Sequence, residues 1–148
     1  MTRAELISIV ALLISLGSAA ATIYFNLRDR ARLVVKSTFY SGYDGEMPSM
    51  TVSVVNGGRR PAVLRMWAGT DGTKHWAGTL LNSSEGGLRL AEHERYELRL
   101  SKDDLTEVTP DHEIVFTDLW FEDTLGRRHF VVDAKKHIAM LRREHDAI

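Results

Sequence analysis

The chain has 148 residues, enough for a short terminal segment and one domain-sized remainder. Its 19 Lys and Arg residues nearly balance its 20 Asp and Glu residues, so no global field of either sign indicates nucleic acid or an acidic substrate. The absence of cysteine excludes disulfide scaffolds, thiolate metal sites and thiol nucleophiles. Any electrostatic function must therefore be local.

An uncharged apolar segment, residues 6–27, follows a short tail of residues 1–5. At about 1.5 Å per residue, a helix of this length measures about 33 Å, enough for the roughly 30 Å hydrocarbon core of a bilayer. The pattern predicts one transmembrane helix. Two alternatives stay open: a secretory signal cleaved after Ala21, where the small residues GSAAA suit a signal peptidase, and a buried helix of a soluble protein.

A basic collar, residues 28–36, follows the apolar segment and runs into the first predicted strand. It contains one acidic residue and four basic ones, which are Arg28, Arg30, Arg32 and Lys36. Positively charged flanks of a membrane span stay in the cytoplasm. The collar therefore predicts a single-pass protein of the cell inner membrane with a cytoplasmic C-terminal domain, and an exported domain is the alternative.

Small residues recur four positions apart within the apolar segment. The pairs are Gly17 with Ala21, Ser15 with Ala19, and Ser18 with Thr22. Such a face could support self-association through the transmembrane helix. Ordinary small residues of a membrane helix are an equally good interpretation.

Beyond the collar, the hydrophobic period changes from helical to alternating. The segments RLVVKSTFY, SMTVSVVN and ERYELRL alternate apolar with polar residues, as half-buried strands do. PAVLRMWAG, KHWAGTLL and HFVV are predicted as further strands, and EIVFTDLWF is apolar on both faces, like a central strand. About seven short strands separated by turn motifs predict a mainly β protein with an antiparallel β-sandwich.

A short C-terminal helix is predicted for residues 134–148. Ala134, Ile138 and Leu141 recur there at helical spacing among basic residues. This apolar stripe either packs on the β domain or docks a partner. Packing is favoured, because so short a helix is only marginally stable alone.

Three segments carry a resemblance to a known class of domain. MTVSVVNGGRRPAVL resembles the strand, Asn-Gly turn, strand signature of bacterial immunoglobulin-like modules of cell-adhesion-related and membrane-accessory proteins. LRLAEHERYELRL is similar to a later strand of these modules, and DTLGRRHFVV to their final hairpin. The resemblance covers residues 31–133 and implies an immunoglobulin-like antiparallel β-sandwich without shared catalytic residues. Trp67 would then take a core position that a Trp often occupies in such folds.

This resemblance also implies a location for four loop arginines. In such a fold, the chain entry, the second-to-third loop and the last hairpin share one end. That end would face the bilayer, where each basic group near anionic lipid is worth about 1 kcal/mol. The predicted membrane-surface contacts are Arg28, Arg30, Arg32, Lys36, Arg59, Arg60, Arg127 and Arg128. Solvated loop arginines, or pairs with Glu122 and Asp123, are the alternative.

Catalytic motifs are not evident in the sequence. The six histidines lack metal-ligand spacing, and Ser83 and Ser84 lack the strand–turn–helix elbow of a hydrolase. We predict no catalytic residue, no metal, no cofactor and no nucleic-acid partner. We expect a membrane-anchored binding or scaffold module, an accessory subunit of a membrane complex, with the lipid bilayer and a protein as partners. The alternative is an exported envelope or secreted binding module with a cleaved signal peptide.

Overall fold

The computed structural model describes residues 2–28, 30–42, 46–110 and 112–145, with only the backbone of residues 26–28. The elements are α1 (Arg3–Arg28), β1 (Leu33–Tyr40), β2 (Ser49–Asn56), β3 (Ala62–Thr70), β4 (Trp76–Leu80), β5 (Leu88–Leu90), β6 (Arg95–Leu100), β7 (Thr106–Val108), β8 (Glu113–Val115), β9 (Asp118–Asp123), β10 (Arg128–Phe130) and α2 (Ala134–His145). The fold is therefore mainly β, with an apolar N-terminal helix and a short C-terminal helix, as the sequence predicts.

Helix α1 is apolar along nearly its whole length. Within Arg3–Phe25, the most apolar stretch of 18 residues has a mean hydropathy of 2.3. Among the described residues this is the one helix long and apolar enough to cross a membrane. The hydroxyls of Ser8 and Thr22 donate to carbonyls one turn earlier, at 3.0 and 2.8 Å, so neither hydroxyl requires water. A signal sequence near an N-terminus would have the same length and composition.

The strands form two larger antiparallel sheets and one small hairpin. The three-stranded sheet has the order β1-β2-β6, and the five-stranded sheet has the order β10-β9-β3-β4, with β5 also paired to β3. Strands β7 and β8 pair with each other. The two sheets are linked just beyond β10, where the N–H of Val132, two residues after the strand ends, donates to the carbonyl of Val35 in β1 at 3.1 Å.

A single large hydrophobic core lies between the two sheets and beneath α2. Its fully buried residues include Met50, Val52 and Val54 from β2, Leu119 and Phe121 from β9, and Ile138 and Leu141 from α2. Each large apolar side chain buried in this way contributes roughly 1.5–3 kcal/mol relative to exposure. Helix α2 therefore packs on the β domain through its apolar stripe.

The segment EIVFTDLWF differs from its sequence prediction. Instead of one central strand, it forms β8 in the small hairpin and β9 in the five-stranded sheet. Phe116 at the break turns into the core and meets the ring of Trp67 edge-to-face, with 6.3 Å between the ring centroids. Gly69 makes room for this ring, since a Cβ there would collide with Phe116. Trp67 itself is only partly buried against the core.

Candidate functional site

Asn56 joins the chain that leaves α1 to the body of the domain. It lies at the end of β2 and is completely buried. Its Oδ1 accepts hydrogen bonds from the N–H groups of Arg32 and Gly58, at 3.3 and 3.1 Å. Its Nδ2 donates to the carbonyls of Arg60 and Leu90, at 2.8 and 3.1 Å. The buried amide therefore makes two hydrogen bonds through its oxygen and two through its nitrogen, and these bonds position three separate chain segments.

Gly58 allows the segment after α1 to pass directly over the turn between β2 and β3. A Cβ at this position would collide with the carbonyl oxygen of Arg30 and with the backbone of residues 31–32. The neighbouring N–H of Gly57 donates to the carbonyl of Arg32 at 2.8 Å. Residues 30–32 are thus fixed on the domain surface by close packing as well as by hydrogen bonds.

Asp123 organises the hairpin between β9 and β10. Its Oδ1 accepts from the N–H groups of Leu125 and Arg127, both at 2.9 Å, and its Oδ2 lies 3.1 Å from Nε2 of His129. Burial raises the pKa of the Asp123 carboxyl, but the bonds from Arg127, His129 and Leu125 outweigh burial, so its pKa lies below the ordinary value. The turn is therefore built around an ionised carboxylate.

These three segments enclose a basic cavity of about 490 Å³. It is lined by Arg30, Ala31, Leu33, Arg60, Pro61, Ala62, Val63, Asp123, Thr124, Leu125, Arg127 and His129. Within the described part of the chain, the guanidinium groups of Arg30, Arg60 and Arg127 make no ion pair. Leu125, at the hairpin tip, is 73% exposed. The basic cavity thus combines three guanidinium groups, none of which forms an ion pair with another described residue, with an exposed apolar side chain.

The cavity unites three of the eight basic residues that the sequence singles out. Arg32 and Arg59 are exposed nearby but do not line it, and Lys36 lies on the outer face of the three-stranded sheet. The side chain of Arg28 falls outside the described residues. Sequence reasoning missed Leu125 and His129, although an apolar residue in the tip of DTLGRR was a visible signal.

Arg128 occupies a different surface from its neighbour Arg127. Its guanidinium carbon lies 4.2 Å from the ring centroid of Trp120, and its Nε lies 3.8 Å from Glu122. This is the pairing with Glu122 that the sequence left as an alternative. Arg127, in the turn before β10, lines the basic cavity, whereas Arg128, the first residue of β10, contacts Trp120, so the two side chains diverge.

A β-bulge at Arg65 helps to create the second notable surface, on the outer side of the five-stranded sheet. The register of β3 against β9 shifts between Leu64 and Met66, so Leu64 enters the main core while Met66 packs with Trp120 on the other side. We call this surface the aromatic face. It comprises Met66, Ala68, Trp76, Leu80, Trp120, Arg128 and Phe130.

The aromatic face exposes large apolar side chains around a buried centre. Trp120 is only 2% exposed, because Arg128 and the ring of Trp76, 5.6 Å away, cover it. Around it, Trp76, Leu80 and Phe130 are 48%, 55% and 58% exposed. A buried apolar centre ringed by exposed aromatic residues is typical of a protein-contact surface.

The polar clusters elsewhere in the described residues serve the fold. The hydroxyl of Ser37 donates to the carbonyl of Val132 at 2.8 Å and lies 2.8 Å from Nδ1 of His137, so its proton is already engaged. Asp71 and His75 meet at 3.3 Å on the turn between β3 and β4. Within the ranges that the structure describes, no group of three or more His, Asp or Glu residues could hold a metal ion.

Comparisons with known proteins add little to this geometry. No family of known proteins matches the chain, and no curated protein matches it. A solved structure described as "X-ray structure of Northeast Structural Genomics Consortium target SoR45" is 13% identical, and the match covers 71% of this chain and 83% of that one. The TM-score of 0.31 is too low to carry an argument about fold or function.

Proposed function

We propose that the protein is a single-span membrane protein whose β domain acts by binding, as a scaffold or accessory subunit of a membrane complex. The observation that carries this proposal is the exposure of α1, since the domain buries none of the residues in its apolar stretch. Exposing so many large apolar side chains to water would be costly, at roughly 25 cal/mol per Å². A bilayer offers this helix the apolar surroundings that the domain does not.

The basic collar supports a cytoplasmic domain at the inner membrane. Positive charge after the span and little before it favours this orientation. Eight basic residues are predicted from the sequence to face the headgroups, and the three that we propose for this role are Arg30, Arg60 and Arg127, which line the basic cavity. Arg128 belongs instead to the aromatic face. An exported module, cleaved after Ala21, is the second candidate, and the small residues GSAAA favour it.

The strand order supports the immunoglobulin-like class. The order β1-β2-β6 corresponds to strands A, B and E of that fold, and β10-β9-β3-β4 corresponds to G, F, C and C′. Domains of this architecture present sheet faces and loops to partners. We therefore propose that this domain acts by binding.

The aromatic face is the proposed protein-contact surface. Arg65 and Arg128 share one carboxylate, Glu122, at 3.5 and 3.8 Å, so this side of the sheet carries a surplus positive charge. The side chains of both arginines remain about half exposed. The partner that fits is a protein with an apolar patch and a carboxylate beside it, since a rim charge of opposite sign adds specificity to an apolar contact.

Site-specific photocrosslinking in intact cells tests this surface. A photoreactive amino acid is placed at Phe130 in the aromatic face, or at Thr38, which is exposed on the outer face of the three-stranded sheet, as the matched control. We expect a discrete adduct from position 130 alone, and we expect Trp76→Asp to abolish it. Equal adducts from both positions, or persistence in Trp76→Asp, would contradict the proposal, and an adduct of twice the chain mass would identify a second copy.

A further inference from the structure

We propose that the basic cavity binds the phosphate group of an anionic membrane lipid. The inference rests on the proposed membrane placement of the domain and gives the cavity a ligand of defined chemistry. Its three guanidinium groups come from three different segments, at Arg30, Arg60 and Arg127. Guanidinium groups match phosphate oxygens with paired N–H donors, and such charge-assisted bonds are among the strongest in proteins.

The position of the cavity along the chain suits a lipid headgroup. Arg30 lies two residues beyond Arg28, where α1 ends, so at most about 7 Å of chain separates them. Each headgroup layer of a bilayer is roughly 5–8 Å thick outside the hydrocarbon core. The cavity wall therefore begins at headgroup depth when α1 spans the bilayer. Leu125, exposed beside the arginines, can reach the boundary between headgroups and acyl chains.

The cavity is held in shape before any ligand arrives. Asn56 and Gly58 fix the segment that carries Arg30 and the turn that carries Arg60, and Asp123 fixes the hairpin that carries Arg127. Binding therefore orders little backbone, which favours affinity.

The carboxylate of Asp123 in the cavity wall is already hydrogen-bonded, so it repels an anionic ligand less than a free carboxylate would. Asp123 already accepts two amide hydrogen bonds and faces His129, so the hairpin's own donors offset its charge. The volume of about 490 Å³ is sufficient for a phosphate with part of its glycerol group, since small-ligand pockets commonly measure about 300–1,000 Å³.

The test uses the full-length chain purified in a neutral detergent. Retention of phosphatidylglycerol and of phosphatidylcholine is measured by native mass spectrometry, with inorganic phosphate and glycerol 3-phosphate as soluble competitors. The cavity variant combines Arg30→Gln, Arg60→Gln and Arg127→Gln. The control variant combines Arg89→Gln, Arg95→Gln and Arg143→Gln, which removes the same charge from exposed positions elsewhere.

The expected result is that phosphatidylglycerol binds the wild type and that the cavity variant binds it at least about tenfold more weakly, while the control variant changes by less than about twofold. Equal losses in both variants, or equal binding of both lipids, would overturn the proposal. Displacement by the soluble phosphates at millimolar concentration would overturn the lipid source and assign the site to free phosphate. The single variant Arg60→Gln replaces the triple variant if circular dichroism shows that the triple variant does not fold.

Membrane integration is measured separately, by alkaline extraction of cell membranes. If alkaline extraction releases the chain, the proposed function fails. The native mass spectrometry then still shows whether the cavity arginines bind soluble phosphate. If the chain stays embedded and the lipids show no preference, the cavity inference alone fails.

Discussion

The main-chain N–H of Arg32 donates to Oδ1 of Asn56 at 3.3 Å, across 24 positions of sequence. This contact ties the segment that follows the apolar helix to the end of β2. Together with the close packing over Gly58, it fixes residues 30–32 on the domain. The fixed segment begins at Arg30, two positions after the end of α1, and Arg30 lines the basic cavity.

Asn56→Ala should destabilise the domain by about 3 kcal/mol. The change leaves two carbonyls and two N–H groups without their side-chain partner. The carbonyl of Leu90 and the N–H of Gly58 are buried, the other two groups are partly buried, and each buried unsatisfied group costs about 1–3 kcal/mol before relaxation. Urea unfolding of the full chain in detergent, followed by tryptophan fluorescence, measures the free energy of unfolding. Ser53→Ala, on the outer side of the same strand, is the control and should change it by less than about 0.5 kcal/mol.

Gly58→Ala should release the segment after α1, whereas Gly57→Ala should not. A Cβ at position 58 collides with the backbone of residues 30–32, but a Cβ at position 57 has the carbonyl oxygen of Arg32 as its nearest neighbour, at an ordinary 3.7 Å. Trypsin cleavage after Arg30 and Arg32 reports the release, because a fixed segment resists proteolysis. Similar cleavage rates in the two variants would show that this packing does not hold the segment.

Asp123 should make stability depend on acidity. Its folded-state pKa is depressed, so the carboxylate stabilises the domain above the unfolded pKa of about 3.9, and this contribution is lost as the pH falls through the lower folded value. Asp123→Asn should therefore reduce stability at pH 7 and flatten the decline below about pH 4. Melting temperatures between pH 7 and pH 3 measure this, and Asp103→Asn, at an exposed site, should keep the wild-type slope.

Arg128→Ala should expose Trp120. Removing the guanidinium 4.2 Å above the ring eliminates a cation–π contact worth about 1–2 kcal/mol and opens the centre of the aromatic face to water. We expect a red-shifted tryptophan emission and a lower melting temperature. Arg127→Ala changes the adjacent residue but not this contact, so a similar red shift in that variant would contradict the account.

Much of the fold could be predicted because it depends on local pattern. The uncharged run before Arg28 specifies a long helix through composition alone. The alternation of Val52 and Val54 with Ser53 specifies a half-buried strand, and the spacing of Ala134, Ile138 and Leu141 specifies the face of α2 that packs on the core.

Features that depend on distant contacts could not be predicted in this way. Asn56 resembles an ordinary turn residue in the sequence, yet its hydrogen-bond partners Arg32 and Leu90 lie 24 and 34 positions away. The apolar run around Phe116 has no local signal for a break, which depends on the space left by Gly69. The bulge at Arg65 likewise turns the side chain of Met66 to the outer side of the sheet, and no feature of the local sequence indicates this change.

In the candidate site too, some features follow from local sequence and others depend on distant contacts. The sequence places basic residues in two loops, and the fold brings Arg60 and Arg127 to one cavity with Arg30. Strand alternation turns Arg128 to the opposite side of the hairpin, where Trp120 and Glu122 engage it. A count of charges in a loop cannot separate two adjacent arginines, because their roles depend on which side of the sheet each one faces.

The central claim is that α1 anchors the intact chain in a membrane with the β domain in the cytoplasm. Because the chain contains no cysteine, Ser84→Cys at an exposed site introduces a unique thiol for a membrane-impermeant maleimide, applied to bacterial cells before and after lysis. We expect labelling only after lysis, on a full-length chain in the membrane fraction. Labelling of intact cells, or a mass lacking the first 21 residues, would contradict it.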